Sequence, residues 1–503
     1  MQIDNFLLKT LEVMAAVFIF LIGAVFLVVL VMYIIDKTQH GHSVRRNYPV
    51  IGRFRYLFEH LGEFFRQYFF AMDREELPFN RAQRSWAYRA SKNQSTTAAF
   101  GSTKDLRPEG TVIFVNCPFP QLEEEIHAPT RVTIGPHSRH PYQTDKFFNI
   151  SAMSYGSLSR PAVRALSQGA AKAGIWLNTG EGGLAPYHLE GGCDVVFQIG
   201  TAKYGVRDDQ GQLDDEKLRA VAAHEQVRMI ELKLAQGAKP GKGGILPAAK
   251  VTEEIAAIRH IPAGEDSISP NRHPEIASVA DLLDMIAHIR KVSGLPTGFK
   301  TVLGASGWLD DLCLEIHQRG LESAPDFITV DGGDGGTGAA PLPLMDEMGL
   351  QLKEALPMLV DKLNEYGLRP RIRVISSGKR VTPAEVAWAL CMGADFVNNA
   401  RGFMFALGCI QALQCNKNVC PTGITTHDKK LQGGLVVSDK AKRVQAYAEN
   451  MIHEVEMIAH SCGVPEPRRL KRMHARVVSE RSLSLPLMDL HPDVPTRPEY
   501  RDA

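Results

Sequence analysis

The sequence predicts an α/β protein, a (β/α)8 barrel carrying an N-terminal transmembrane helix and a helical juxtamembrane segment. Three observations carry this. Eight short apolar runs, each ending in Gly, Ser or Asn or reaching one within two residues, and each followed by a helical pattern, occupy roughly 260 residues, the size of one such barrel. Glycine-rich turns follow most of those runs. Ahead of them, Val13 to Ile35 is a 23-residue stretch without a charge.

The apolar stretch is long enough for a bilayer core, which takes about 20 residues. A cleaved signal peptide fits less well. The run is longer than a usual hydrophobic region, Asp4 and Glu12 oppose a basic start, and no small-x-small site follows. Lys9 stands alone before the span, whereas Lys37, Arg45, Arg46, Arg53 and Arg55 follow it. That asymmetry predicts a single-pass protein of the cell (inner) membrane with its catalytic domain in the cytoplasm. Residues 37–95 then mix Tyr56, Phe58, Phe64, Phe65, Tyr68, Phe69 and Phe70 with Arg53, Arg55 and Arg66. Such a segment is either amphipathic and membrane-lying or an ordinary helical subdomain packed on the main body.

The strands are expected at Asn149–Ser154, Trp176–Thr179, Val195–Gly200, Met229–Ala235, Gly298–Val302, Phe327–Asp331, Ile372–Ser376 and Phe396–Asn399. Helices are expected at Arg160–Ala173, Glu216–Gln226, Val279–Val292, Leu309–Gln318, Leu350–Tyr366 and Pro383–Cys391. A doubly wound sheet is the competing architecture. The count of eight, and the lack of G-x-G-x-x-G after the first strand, argue against it. After residue 440 come one helix, Lys440–Ser461, and a Pro- and Arg-rich tail that wraps the barrel. The expected organisation is therefore an anchor at 1–36, a juxtamembrane segment at 37–95, the barrel at 96–440 and a C-terminal helix and tail at 441–503.

Composition narrows the function. Of 503 residues, 44% are hydrophobic and 22% charged, as in globular proteins. Net charge is +1, which leaves no electrostatic case for nucleic acid. Cys117, Cys193, Cys313, Cys391 and Cys462 are scattered, which is no disulfide framework and fits a reducing compartment.

Barrel enzymes keep their chemistry at the C-terminal ends of the strands. Strand one ends in a small-residue turn, Met153-Ser154-Tyr155-Gly156, where a planar ring can approach backbone. Strand two places Glu181 in the glycine-rich Asn178–Gly183. Strand four leads to Lys239, strand five carries Lys300, and strand six runs into Asp331-Gly332-Gly333. Strand seven ends in Ser377-Gly378 and strand eight in Asn399-Ala400-Arg401. Turns after strands seven and eight bind phosphate through backbone N–H groups and a helix N-terminus. With Lys300 near N1 of a flavin ring, this pattern suits FMN lying across the barrel mouth.

Three of the eight cysteines, Cys409, Cys415 and Cys420, fall in one twelve-residue stretch. Thiolates at this spacing suit a [3Fe-4S] cluster, a zinc ion or plain core packing. Zinc wants a fourth ligand, and the spacing of His427, the nearest candidate, fits no common zinc motif. The triplet follows strand eight closely, beside the expected phosphate loop, a position that suits electron transfer.

Taken in order, MSYGSLS, NTGEGG, LKLAQGAKPGKGG, VDGGDGGTGAAP and C-x5-C-x4-C resemble the FMN-binding synthase domain of glutamate synthase over about residues 100–440. The whole chain resembles the short, membrane-anchored members of that family. The resemblance implies FMN and a [3Fe-4S] cluster on Cys409, Cys415 and Cys420. It implies reduction of 2-iminoglutarate, formed from 2-oxoglutarate and ammonia, by hydride from reduced FMN. It makes Glu181 and Lys239 catalytic and pairs Arg259 with a substrate carboxylate. It implies cofactor contacts from Met153, Ser154, Lys300, Gly332, Gly333, Ser377, Gly378, Asn399 and Arg401.

Departures from the family pattern also matter. Lys242 stands where the family usually has glutamate, and Ile245 where it has a substrate-contacting glutamine, which points to another oxo acid or imine as an alternative substrate. Strand seven carries Ser377-Gly378 in place of a Gly-Gly pair. The chain begins Met1-Gln2, without a nucleophilic cysteine, so ammonia is expected from solution or a partner subunit. An N-substituted glutamate made with partner subunits, or a non-catalytic electron-transfer subunit, are further alternatives. No dinucleotide fingerprint is evident, so the expected electron donor is another protein or a membrane carrier.

Overall fold

The computed structural model describes residues 2–39, 41–126 and 129–501. The chain divides into two compact units, Met1–Ala82 and Gln83–Ala503. In the first, Gln2–Thr38 is one helix. Among the described residues it is the one helix long and apolar enough to cross a membrane, over Asn5–Thr38. The Asp36 carboxylate near its end accepts from the Val50 N–H at 3.0 Å and from Arg53 Nε at 2.8 Å. Those bonds tie this helix to the next long one, Gly52–Phe65.

The second unit is a closed barrel of eight parallel strands. In chain order they are β1 (Phe148–Ile150), β2 (Leu177–Asn178), β3 (Val195–Ile199), β4 (Val227–Lys233), β5 (Thr297–Thr301), β6 (Phe327–Asp331), β7 (Arg373–Ser377) and β8 (Phe396–Asn399). Each pairs with its sequence neighbour, and β8 closes on β1 through Asn398 opposite Asn149. The expected eight strands are all present. Two have the expected bounds, β6 and β8. β1 is shorter than expected because Ser151–Ser154 leave the ladder to line the cavity at its end. β4 begins and ends two residues early, which makes Lys233 its last residue.

Local signals explain the helices between strands. Ser159 caps Arg160–Ala173 by accepting from the Ala162 N–H, and Gly174 ends it in the left-handed region at φ 66°. Ser278 and Asp281 form a capping box at the start of Val279–Ser293, and Gly294 stops it. Pro383 at the first turn starts Pro383–Cys391.

The N-terminal end of the barrel is plugged by a hairpin, Val132–Ile134 paired with Tyr142–Thr144. Ile134 and Tyr142 pack with Trp176, Val196, Met229, Phe327, Ile375 and Phe396. Cutting one of these aromatics to Ala would cost about 3–5 kcal/mol. The tail does more than the expected wrapping. Ala475–Val478 pairs antiparallel with Val112–Phe114 and with Ser484–Pro486, forming a three-stranded sheet. The long helix, Val437–Ser461, packs along Arg160–Ala173. A second unexpected hairpin, Ile245–Leu246 with Ser267–Ile268, projects from the long connection after β4.

Candidate active site at the barrel mouth

Residues from all eight strand ends line one cavity at the barrel mouth, about 1350 Å³ with the solvent-open space above it. Its floor is polar and braced from below. The buried Glu231 carboxylate accepts from Asn178 Nδ2 at 2.9 Å, Thr329 Oγ1 at 2.6 Å and Gln198 Nε2. Glu231 and Lys233 lie two residues apart on β4, so both face the barrel interior.

Glu181, at the end of β2, stands at the centre of a cationic group. Lys233 Nζ lies 2.8 Å from its Oε1. Burial raises the Glu181 pKa, but Lys233, Lys239 and Arg259 outweigh it and hold the carboxyl below its ordinary value. Glycines crowd it: a Cβ at Gly244 would strike its carboxylate, and one at Gly200 would lie 2.6 Å from Oε2. Gly180 before it has φ 64°, and a Cβ there would lie 2.6 Å from the Ser154 N. That approach packs the β1 and β2 ends together.

Lys239 is 3% exposed and lines the same cavity. Burial and the nearby Lys233 charge push its pKa down to about 8. Arg259, the last residue of the helix Glu253–Arg259, is buried beneath them. Its guanidinium stacks on Tyr204 at 5.0 Å and donates to the Tyr155 carbonyl at 3.2 Å. Its Nε has no hydrogen-bond partner among the described residues. Lys300 on β5 pairs with Asp331 at the end of β6, Nζ to Oδ2 3.1 Å. Burial lowers its pKa, Asp331 and Glu231 raise it more, and the net shift is upward.

The opposite wall comes from β1, β7 and β8. Met153, Ser154, Ser377, Gly378, Asn399 and Arg401 all line the cavity, together with Gly336–Ala339. Gly378 has φ 111°, and a Cβ there would lie 3.1 Å from the Gly332 N. Gly332 and Gly333 are not among the lining residues. Their N–H groups are spent on the carbonyls of Ser377 at 3.1 Å and Leu350 at 2.7 Å. They shape the β6 turn instead of facing the cavity.

Lys233, Arg380, Lys250 and Gln236 are among the lining residues that sequence reasoning missed. Lys233 falls inside the strand expected at Met229–Ala235 and is instead its last residue; the alternation Glu231-Leu232-Lys233 is its signal. Arg380 follows the β7 turn, is 7% exposed, donates Nε to the Gly378 carbonyl at 2.9 Å and makes no ion pair among the described residues. Its guanidinium lies 5.4 Å from the Trp388 ring centre. Lys250 lies on the turn Ala248–Lys250 after the Ile245–Leu246 strand, and Gln236 donates to Thr337 Oγ1 at 2.9 Å. A buried arginine, the β7 turn and Lys300 form a donor set that would hold a phosphate at one end and an anionic ring at the other.

The three cysteines occupy the loop after the β8 helix, Arg401–Leu407. Cys415 lines the cavity. Arg401 Nη1 lies 4.0 Å from Cys415 Sγ. Burial raises the Cys409 pKa, which responds to Arg401 and to both other thiols. Burial also pushes the Cys420 thiol up, but hydrogen bonds from Thr422 and Thr425 bring it down to about 7. Among the described residues no group of three His, Cys, Asp or Glu is placed to hold a metal ion. The influence of Cys415 and Cys420 on Cys409 puts the three thiols in one neighbourhood of the loop. A cluster held by one thiolate on each of three irons would draw on all three of these cysteines. His427 is occupied elsewhere, with Nε2 2.8 Å from the Gly156 carbonyl oxygen.

Fold and site together define a barrel protein whose mouth carries a buried carboxylate among lysines and a cysteine loop on its rim. The chain belongs to the glutamate synthase family: the conserved region in glutamate synthase matches residues 113–465. It is 39% identical to the glutamate synthase large subunit-like protein YerD of Bacillus subtilis (strain 168), over 92% of this chain and 95% of that one. It is 33% identical to the archaeal-type glutamate synthase [NADPH] of Thermotoga maritima, over 68% of this chain and 64% of that protein. The chain therefore spans less than two thirds of the archaeal-type relative's length. Among solved structures, mandelate oxidase with (S)-4-hydroxymandelic acid superposes with a TM-score of 0.47 at 15% identity, covering 78% of this chain and 98% of that one.

Proposed function

We propose that the chain is a membrane-anchored, FMN-dependent oxidoreductase of glutamate synthase type that reduces 2-iminoglutarate, formed from 2-oxoglutarate and ammonia, to glutamate. The observation that carries this is the convergence of Lys233, Glu181, Lys239 and Arg259 on one cavity at the barrel mouth. Bound FMN would supply hydride, and a [3Fe-4S] cluster on Cys409, Cys415 and Cys420 would feed it single electrons.

The chain's own residues perform the rest. Arg380, Ser377 and Gly378 would bind the flavin phosphate, and Asn399 ties their loop to β8 by donating Nδ2 to the Arg380 carbonyl. Lys300 offers positive charge to the ring, while Asp331 fixes its position. Arg259 orients a substrate carboxylate with a guanidinium already held by Tyr155 and Tyr204. Lys239, protonated below about pH 8, delivers a proton to the substrate nitrogen. Glu181 stays ionised against Lys233 and Lys239 and keeps both ammonium groups aimed into the cavity. Electrons arrive from a donor protein or membrane carrier, with the Asn5–Thr38 helix holding the chain at the bilayer. The excess of basic residues after that helix favours the cytoplasmic side of the cell membrane for the catalytic unit.

The test is anaerobic reduction followed by reoxidation with 2-oxoglutarate and ammonium. Flavin absorbance should return, with glutamate formed in equal amount. Protein purified anaerobically without FMN or acid-labile sulfide would sink the proposal. Ile245 favours a second reading, since it places an apolar side chain on the cavity wall where a second carboxylate would need a donor. Under that reading a 2-oxo acid with an apolar side chain reoxidises the flavin faster than 2-oxoglutarate does.

A further inference from the structure

Lys250 is a buried cation without a carboxylate. It is 2% exposed. Its ammonium donates to the Ser157 carbonyl at 3.1 Å and the Cys415 carbonyl at 2.9 Å, and it makes no ion pair among the described residues. Two carbonyl dipoles do not neutralise a full charge removed from water, so a fold tolerates such a group when an anion comes to meet it. The electrostatic neighbours of this ammonium are the thiols of Cys415 and Cys420. Protonated thiols bring no charge, whereas thiolates ligating a cluster do.

Position sharpens the point. Ser157 belongs to the turn after β1 and lines the cavity beside Ser154. Cys415 belongs to the loop after β8. Lys250 reaches between them from the connection after β4. Arg401 approaches Cys415 from the β8 helix, with Nη1 4.0 Å from Sγ and Nη2 bonded to the Thr337 carbonyl. Two cations from separate segments therefore flank the cysteine loop, and Lys250 also bridges it to the cavity wall.

We propose that Lys250 is the positioning residue and counter-cation of the cluster on Cys409, Cys415 and Cys420. This rests on the cluster reading given above. One electron entering the cluster adds one negative charge, with no bond made or broken. A fixed ammonium beside the thiolates favours the reduced form over the oxidised one. The same ammonium pins the Cys415 backbone to the β1 turn and so fixes the distance between loop and cavity.

The experiment is a redox titration of the full-length holoenzyme followed by electron paramagnetic resonance, with iron and FMN content measured in parallel. Lys250→Gln keeps hydrogen-bond donors and removes the charge. It should retain the cluster while its reduction equilibrium shifts at least tenfold toward the oxidised form, about 59 mV for a one-electron couple. Lys250→Arg should restore the wild-type potential. Lys250→Met, lacking charge and donors, should lose iron while keeping FMN. A Lys250→Gln potential equal to wild type overturns the assignment, as does loss of iron in Lys250→Arg and Lys250→Gln alike. Wild-type protein without iron would remove the cluster reading itself, whereas unchanged potentials remove the role of Lys250 alone.

Discussion

Lys233 Nζ and Glu181 Oε1 stand 2.8 Å apart, with the two side chains 8% and 16% exposed. The pair links the last residue of β4 to the turn after β2, across the end of β3. Each partner depends on the other. Without the cation, burial would drive Glu181 toward its neutral form. Lys233→Met should therefore slow substrate-driven flavin reoxidation by about 100-fold, within the range for misplaced proton transfer. FMN content should stay at wild type. Stopped-flow absorbance checks both, and unchanged reoxidation would remove the Lys233–Glu181 pair from the reaction.

Lys239 gives the reaction a pH signature. Its pKa is pushed down to about 8. The ammonium is present below that value and lost above it, so a proton donor here makes kcat fall as pH rises through about 8. Lys239→Met should abolish that limb and lower kcat by about 10²–10⁴-fold. A pH–rate profile of variant and wild type decides it. The same alkaline limb persisting in the variant would assign it to another group.

His188 predicts acid sensitivity of the fold. It is fully buried, accepts from the Ala185 N–H through Nδ1 at 3.0 Å, and its pKa is pushed from 6.5 down to about 4 by burial. The unfolded chain binds this proton more readily than the folded one between pH 6.5 and about 4. Stability is thus fully present above pH 6.5 and is lost as pH falls toward 4, by up to about 3 kcal/mol from this residue. His188→Asn keeps an acceptor for Ala185 without the titration. Its Tm should depend less on pH over that window than the wild type's, as measured by calorimetry at several pH values.

Ile245 should set substrate choice. It lines the cavity at the start of the Ile245–Leu246 strand. Ile245→Gln adds a polar group where the wild type offers none. It should raise kcat/KM for 2-oxoglutarate with ammonium about 10-fold, the scale of one added or lost pocket contact. The ratio of kcat/KM values for 2-oxoglutarate and an apolar 2-oxo acid is the measurement. No change in that ratio would take Ile245 out of recognition.

Much of this was legible along the chain. Short apolar runs leading into small residues located all eight strands, because parallel strands covered on both faces are apolar over most of their length. Ser159, Gly174, Ser278 and Gly294 marked helix ends through local hydrogen bonds and backbone conformation. The order of NTGEGG, QGAKPG and the cysteine triplet identified the family, and the matched region 113–465 bears that out. Most residues expected at the site, from Met153 to Arg401, line the cavity.

Tertiary structure alone decided the rest. Val112–Phe114 pairs with Ala475–Val478, a contact between three- and four-residue strands at opposite ends of the barrel unit. Strands so short carry no periodic signal. Gly332 and Gly333 sit in a loop with the right composition, yet backbone partners already occupy their amides. Lys233, Lys250 and Arg380 look in sequence like any solvated charges. Their importance comes from burial, and burial depends on which loops meet at the mouth. The chain's local pattern determined which segments become strands and where the chemistry would gather. Closure of the barrel determined which charges lost their water and which neighbours now compensate them, because that balance is set between residues far apart in sequence.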